Sequence, residues 1–426
     1  MPPIAAPRGT RDLLPADAAA WQWLHDVHVR VAGAHGYRLV DTPIYEHTEL
    51  FERGVGAGTD VVEKEMFTFT DRGGRSLTLR PEGTAGVVRA CLQASLLQRE
   101  RPLRVRYAGP MFRYDKPQRG RYHQFFQVGI ECIGEQSPHL DAEVVEVGWR
   151  FVTALGLHGV SLQVNSLGDI DDRRRYREAL VEYYTPLREQ LCDDCRRRLD
   201  SNPLRLLDCK RDAALATDAP RIGESLSADS ARFFEAVCHD LDAAGVPYRI
   251  NERLVRGLDY YAHTAFELWH ESLQGAQNAL GGGGRYDGLA EVLGFAATPG
   301  VGYALGVERL LMIAADLGVA PAEEQATAVV VIAVGSDQAR IAGDAARTLR
   351  ASGVGAILDV SVRGLAGKLR SAARLGARFA VLIGEEEAGE NSAQLRDLRS
   401  STQQRVALEA LAAAVGEGLA VSGAAD

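Results

Sequence analysis

Two strand-like runs, Arg104 to Phe112 and Tyr122 to Glu131, are separated by only nine residues. A connection that short cannot hold a crossover, so the runs must lie side by side and antiparallel as one long hairpin. That pairing decides what kind of sheet the rest of the chain can join. The connection also concentrates charge. Arg113, Lys116, Arg119 and Arg121 stand around Pro117 and Gly120 in a chain whose formal net charge is −9. Beyond it come Tyr122, Phe125 and Phe126, then two isolated polar groups, Gln127 and Glu131. A basic tip of this kind either holds an anion or merely keeps a hairpin end soluble, and the stretch alone leaves both open.

The flanking pattern extends the sheet. Ala16 to Tyr37 places Trp21, Leu24, Val27, Val31 and Ala32 at helical spacing, and Gly36 ends it. An extended segment with Pro43 follows, then strands at Met66–Phe69 and Leu77–Arg80 about a turn. PEGTAGVVRACLQ opens a helix with Pro81, Glu82 and Thr84 in its first turn. From Asp169 to about Tyr248 the character is helical and rich in Arg, with breaks at Pro186, Pro203 and Pro220. Strands then resume at Ile250–Val255, Ala265–Trp269 and Ala279–Gly281, so the helical block interrupts a mostly antiparallel sheet domain. After a linker, GVAPAEEQAT, the apolar runs VVVIAVG, AILDV and FAVLIG alternate with helices, which predicts a small α/β domain with a largely parallel sheet. The expected organisation is an α+β domain in two parts, 1–168 and 249–320, a helical insertion at 169–248, and a C-terminal α/β domain at 326–426.

Composition narrows the class without choosing the function. Apolar residues at 46% and charged residues at 25% are ordinary for a globular protein. No run of eighteen apolar residues appears, and MPPIAAPRGTRDLLP lacks the basic-then-apolar form of a secretory signal, so a cytoplasmic protein that does not enter a membrane is expected. Of six cysteines, Cys192, Cys195 and Cys209 cluster as a C-x-x-C pair plus one thiol. Structural zinc wants four ligands and no fourth Cys or His stands nearby, so reduced, partly buried thiols are expected and no metal held by a protein cluster.

Chemistry concentrates in a few segments. There is no G-x-x-x-x-G-K-[ST] loop and no G-x-G-x-x-G between a strand and a helix, so phosphates would have to be held by side-chain cations on a sheet. Arginine suits that task, because its planar fork grips two oxygens and keeps its charge. LVRGLDYYAHTAFE (254–267) interrupts a strand region with Arg256, Asp259, Tyr260 and Tyr261; a loop with core tyrosines would read the same way. The Gly run in GGGGRYDGL lets backbone approach a ligand closely. GVGYALGVERLLM reads as a strand entering a helix that carries Glu308 and Arg309. Between Asp337 and Arg378 eight cations (Arg340, Arg347, Arg350, Arg363, Lys368, Arg370, Arg374 and Arg378) face three acids, a local surplus that fits either an RNA footprint or a solvated helix face.

Together these residues resemble a known family. The Pro43 segment, FRYD…RYHQFFQVGIE and GVGYALGVER are similar to the three motifs of class II aminoacyl-tRNA synthetases. RPEGTA and LVRGLDYYAHTAFE resemble the two segments peculiar to the histidyl-tRNA synthetase family, and NPLRLLDCK its bacterial insertion. The resemblance runs from about residue 8 to at least residue 383; Asp115 and His123 stand where relatives differ, and the C-terminal domain matches by pattern more than by motif. It implies a six-stranded antiparallel catalytic sheet flanked by helices, a C-terminal anticodon-binding domain, and a homodimer joined through the first motif. The implied substrates are L-histidine, ATP with Mg²⁺, and tRNA(His).

The resemblance also implies roles. Arg113 and Arg256 would flank the α-phosphate, with Arg121 and Arg309 on the γ-phosphate and the adenine end. Glu82, Gly83 and Thr84 would take the substrate ammonium, with Gln127 orienting the amino acid. Glu131 and Tyr261 would read the imidazole, and Tyr260 would wall the pocket; a buried carboxylate paired with an arginine is the structural alternative for Glu131. Lys116, Gln118 and Arg119 would meet the tRNA acceptor end. Two rival functions share parts of this set. A histidine-sensing regulatory subunit of ATP phosphoribosyltransferase needs neither the arginines nor an RNA-binding domain. A plain RNA-binding protein on the same fold would not need Glu131 with Tyr261.

Overall fold

The hairpin forms as its spacing requires, with Leu103–Phe112 paired antiparallel to Gln124–Ile133 from Leu103↔Ile133 to Phe112↔Gln124. The protein was analysed as a computed structural model, which describes residues 3–56, 59–115, 120–207, 209, 211–255, 260–273, 279–321 and 328–420. It divides into two compact units, 1–322 and 323–426.

In chain order the strands of the first unit are β1 (Arg38–Leu39), β2 (Tyr45–His47), β3 (Phe67–Thr70), β4 (Ser76–Leu79), β5 (Leu103–Phe112), β6 (Gln124–Ile133), β7 (Val160–Ser166), β8 (Arg249–Ile250), β9 (Ala262–His270), β10 (Ala279–Arg285) and β11 (Gly300–Gly306). Eight of them form one sheet in the order β1-β5-β6-β11-β10-β9-β7-β8, while β2-β4-β3 form a small sheet of their own. The expected six-stranded antiparallel sheet is its centre, β5 to β7. The two-residue strands β1 and β8 add parallel edges. Two residues are too few to show a period, and the strand expected over Ile250–Val255 is present only as β8, with a turn following Ile250.

Strand alternation separates the faces. Val128, Ile130 and Cys132 of β6, Val301, Tyr303 and Leu305 of β11, and Phe266 and Leu268 of β9 share one core with Leu24, Val147, Phe151, Leu241 and Leu310 from the covering helices. The other face carries Gln127, Gly129 and Glu131 on β6, Gly302, Ala304 and Gly306 on β11, and Glu267 on β9. Small and polar residues on that face leave a floor on which something can lie. The helix Thr84–Gln93 flanks it, packing Val87, Val88 and Cys91 against Val105, Tyr107 and Met111. The glycine run serves strand pairing as well as the polar face, where Gly281 and Gly282 stand. A Cβ on Gly281 would lie 2.3 Å from the Ala304 oxygen and one on Gly283 1.9 Å from that of Gly302, so β10 needs these glycines to pair with β11 at all.

The chain leaves the sheet after β7 and returns at β8. Between them, helix Ile170–Tyr184 starts on a capping box in which Asp169 accepts from the Asp172 N–H and Asp172 from the Asp169 N–H. Helix Asp193–Ser201 and short turns follow around a small core of Tyr176, Leu180, Tyr184, Leu191, Cys195 and Leu206.

In the second unit β12 (Val329–Ala333), β13 (Ala356–Asp359), β14 (Phe379–Ile383), β15 (Ser392–Asp397) and β16 (Gln403–Ala407) run in the order β13-β12-β14-β15-β16. The first three pair in parallel, as their apolar runs predict. An antiparallel hairpin, β15–β16, widens the sheet beyond that expectation. β16 is mostly exposed, so its sequence, QQRVA, carries almost no apolar pattern.

Candidate active site

The polar face of the first sheet opens into a cavity of about 410 Å³. Its wall brings together residues far apart in sequence: Glu82 and Thr84 from the helix start, Arg113, Arg121 and Gln127 from the hairpin, Tyr260 and Tyr261, and Arg309 from the strand–helix element.

Each is held by local structure. The Glu82 carboxylate accepts from the backbone N–H groups of Thr84 (2.6 Å) and Ala85 (3.0 Å), so it caps the helix while facing the cavity. Burial pushes its carboxyl above the usual range, against those hydrogen bonds. Gly83 is not on the wall; a Cβ there would lie 2.4 Å from the Tyr107 ring, so packing requires the glycine. Arg113 donates from Nε to the Pro81 carbonyl (2.8 Å) and lies over the Phe125 ring at 5.6 Å. Arg121 pairs with Asp115, and Arg309 donates to the Ala279 carbonyl. Glu308 accepts twice, at 3.0 Å, from the Phe126 N–H, which ties the helix carrying Arg309 to the hairpin.

The electrostatics divide the cavity into two halves that meet at Arg113. Burial, then the charges of Arg121 and Arg113, push the Arg309 guanidinium down, with Glu267 and Asp115 opposing. Three guanidinium groups therefore crowd one region, an arrangement that only anionic oxygens relieve. The other half is Glu82, Thr84, Gln127 and the tyrosine pair, whose ring centroids are 4.7 Å apart. Burial pushes Arg113 down as well, but there Glu65, Glu82 and Tyr260 oppose it and Arg121 reinforces it. Arg113 thus feels both halves.

Glu131 lies beneath this second half. It is fully buried and absent from the wall, with one oxygen accepting from the Thr84 hydroxyl (2.7 Å) and the other from Tyr286 (2.6 Å). Burial pushes its carboxyl up to about 8. Its partners are hydroxyls, not the arginine of the alternative reading. The Gln127 side-chain oxygen, buried on the wall, finds no donor among the described residues.

Arg256 on one segment, and Lys116, Gln118 and Arg119 on another, lie outside the described residues. The residues that flank the latter, Asp115 and Gly120, both stand on the cavity wall. Sequence reading missed Glu65, Glu267 and Arg205 as wall residues. Glu267 had left a signal, a lone charge between the buried Phe266 and Leu268 of β9. Arg205 had none, since nothing local says that the insertion reaches the cavity.

A six-strand antiparallel centre with this hairpin and strand–helix element is the class II synthetase fold. The family model described as histidyl-tRNA synthetase matches residues 9–171 and 193–310, and an anticodon-binding-domain model matches 328–417. The chain is 46% identical to the histidine–tRNA ligase of Geobacillus kaustophilus over 95% of its own length and 96% of the relative's. It is 45% identical to that of Bacillus subtilis, again over 95% and 96%. The apo crystal structure of histidyl-tRNA synthetase from S. aureus, 36% identical, aligns with a TM-score of 0.82 over 97% of this chain and 99% of that one. The chain belongs to the histidyl-tRNA synthetase family.

Proposed function

We propose that this chain is a histidine–tRNA ligase that joins histidine to ATP as histidyl-adenylate and passes the histidyl group to the 3′ end of tRNA(His). The observation that supports it most is the divided cavity, with guanidinium groups crowded in one half, a polar half walled by the tyrosine pair in the other, and Arg113 where they meet.

In the first step a histidine carboxylate oxygen attacks the α-phosphorus of ATP, the bond to the bridging oxygen breaks, and pyrophosphate leaves with its electron pair. The nucleophile is already ionised, so no protein base is needed, and catalysis rests on positioning and on stabilising charge at phosphorus. Arg113 is proposed to hold the α-phosphate, with Arg256 meeting it from the other side, and Arg121 and Arg309 to hold the outer phosphates and the adenine end. Mg²⁺ arrives with the nucleotide as part of the substrate, and the carboxylates of Glu65 and Glu267 on the wall are suitable oxygen donors toward it. The ammonium of histidine would be taken by Glu82 and Thr84, with Gln127 orienting the amino acid. Tyr261 would take one imidazole nitrogen. Glu131, which lies beneath the wall, would accept from the other only as the wall over it opens to admit histidine; its two oxygens keep lone pairs beyond those used by Thr84 and Tyr286. In the second step the terminal ribose hydroxyl of tRNA attacks the carbonyl carbon and AMP leaves, with Lys116, Gln118 and Arg119 proposed to steer the acceptor end.

A homodimer is part of this reading. Ile44, Tyr45 and Phe69, on and beside the small sheet, are exposed at 46%, 54% and 44%, and Leu39 on edge strand β1 at 63%, apolar surface suited to a second copy. Among the described residues no helix is long and apolar enough to cross a membrane, and a cytoplasmic setting is proposed. A regulatory histidine-sensing subunit would use only the amino-acid half, which disfavours that rival.

The test is histidine-dependent exchange of labelled pyrophosphate into ATP by the purified full chain with Mg²⁺. Exchange above the histidine-free background is expected. Its absence in protein shown to be folded and dimeric would sink the ligase reading.

A further inference from the structure

The helical insertion holds a group of side chains that the proposed reaction does not use. The Sγ atoms of Cys192, Cys195 and Cys209 and a carboxylate oxygen of Asp212 all lie within 4.8 Å of one another. The sequence spacing is a doubled pair, C-x-x-C at 192–195 and C-x-x-D at 209–212, the arrangement by which two tight turns each offer two ligands to one ion. Considering only Cys and His as ligands hid the fourth member, which is an acid.

The ligand atoms are close enough together to share one ion. Cys192 and Cys209 stand 3.8 Å apart, sulfur to sulfur. Zinc–sulfur bonds of about 2.3 Å at the tetrahedral angle put two thiolates about 3.8 Å apart. A disulfide would need the same atoms to close to about 2.05 Å. Cys195 is fully buried and Asp212 is 7% exposed, so two of the ligands are withdrawn from water. The Cys192 N–H donates to Asp212 Oδ2 at 3.0 Å, a contact between the two turns that orients the carboxylate before any ion arrives.

The surroundings give such an ion a purpose. Cys192 precedes the first residue of helix Asp193–Ser201, and Cys209 and Asp212 follow the short turn Pro203–Leu206. The core they adjoin is small and built from one longer helix and several short turns. Small bodies of this kind are commonly stapled by a metal or a disulfide. The same turn carries Arg205 onto the cavity wall.

We propose that Cys192, Cys195, Cys209 and Asp212 form a structural site for one tetrahedral divalent cation of the zinc type. It pins the turn bearing Arg205 to the helix Asp193–Ser201. Three thiolates and one carboxylate select zinc over magnesium or calcium, which prefer oxygen alone.

The experiment uses the reduced full-length chain, stripped with a chelator under argon and titrated with Co²⁺ alone, then Zn²⁺. The expected result is the intense visible absorption of tetrahedral cobalt with sulfur-to-cobalt charge transfer. It should saturate at one equivalent and be erased by one equivalent of Zn²⁺. D212N keeps all three thiols and is expected to bind Co²⁺ at least about tenfold more weakly, with a shifted band; C195S, left with two thiolates, is expected to bind more weakly with a markedly less intense charge-transfer band. Only the weak absorption of octahedral cobalt in wild-type protein overturns the site. So does a D212N titration that matches wild type, or air oxidation to a Cys192–Cys209 disulfide in protein whose reduced form binds neither ion.

Discussion

The first unit buries arginines in two ways, and the contrast separates architecture from chemistry. Arg285 is fully buried and answered on every side: Asp141 at 3.0 Å from Nε, Asp287 at 2.7 Å from Nη1, and the carbonyls of Glu135 and Ser137. Arg113 and Arg309 are each tied back through one nitrogen to a carbonyl, and among the described residues no carboxylate forms a salt bridge with either. Two such cations beside Arg121 make an arrangement poorly satisfied by the described residues. A closed network fixes one fold; an open one reserves its binding capacity for a ligand.

The sharpest way to break that contrast is to remove one arginine of each kind. Arg285→Ala leaves the Asp141 carboxylate buried without its partner, and a loss of about 3–5 kcal/mol in unfolding free energy is expected. Adding Asp141→Asn should return part of it, because the stranded charge is gone; denaturant unfolding of the two variants measures both. Arg113→Ala should leave stability nearly unchanged and cut pyrophosphate exchange by about 10²–10³-fold, on the scale of losing one preorganised charge donor. Equal stability losses in the two variants would erase the distinction between closed and open arginines.

Glu131 sharpens the comparison from the acid side, since it is as buried as Asp141 but its partners are neutral hydroxyls. Its folded carboxyl is pushed from 4.5 up to about 8, so between those values the folded state keeps a proton that the unfolded state has lost. Stability of the ligand-free protein should therefore fall as pH rises through that window. Glu131→Gln should flatten the slope and raise the histidine KM, by the equivalent of about 1–3 kcal/mol for a polar partner left unpaired, with ATP binding little changed. Thermal melts across pH and initial rates at varied histidine check the two halves. An unchanged KM would assign Glu131 to holding Thr84 and Tyr286 alone.

The smallest effect belongs to the second unit, where exposed cations are set against one that is not. Lys368, grouped by sequence with Arg363 and Arg370, is buried and donates from Nζ to the Ala333 carbonyl at 2.8 Å. Arg378 is likewise committed, to Asp397 at 2.6 Å. Arg363, Arg370 and Arg374 remain exposed. Neutralising these three in the full chain should lower the salt dependence of tRNA binding by up to about 2 in log–log slope, at about 0.7 per single-stranded phosphate contact. Lys368→Met should leave that slope alone and cost stability instead. A slope that responds to Lys368 and not to the arginines would move the RNA contact elsewhere.

Several pieces were legible because their causes are local. Nine residues between two strand patterns force an antiparallel pair, and capping and proline signals mark where helices begin. Arg113, Arg121, Gln127, Tyr260, Tyr261 and Arg309 were singled out by residue type in strand or loop contexts, and all reach one cavity. Gly83 and the glycines of β10 also have a packing role that the sequence did not announce, because whether a missing side chain makes room for a ligand or for a neighbouring strand depends on what stands opposite. Lys368 was misread for the same reason, as charge in sequence does not say which way a side chain faces.

By itself, then, the sequence determined the order of elements, the antiparallel centre and the parallel core of the second unit, through periods and turns that act over a few residues. Only the tertiary structure decided that Glu131 lies under the cavity floor, that Arg205 reaches the cavity from the insertion, and that Asp212 joins three cysteines. Each of these depends on packing between segments tens of residues apart. There, burial and the distance between side chains arise only when the chain closes on itself.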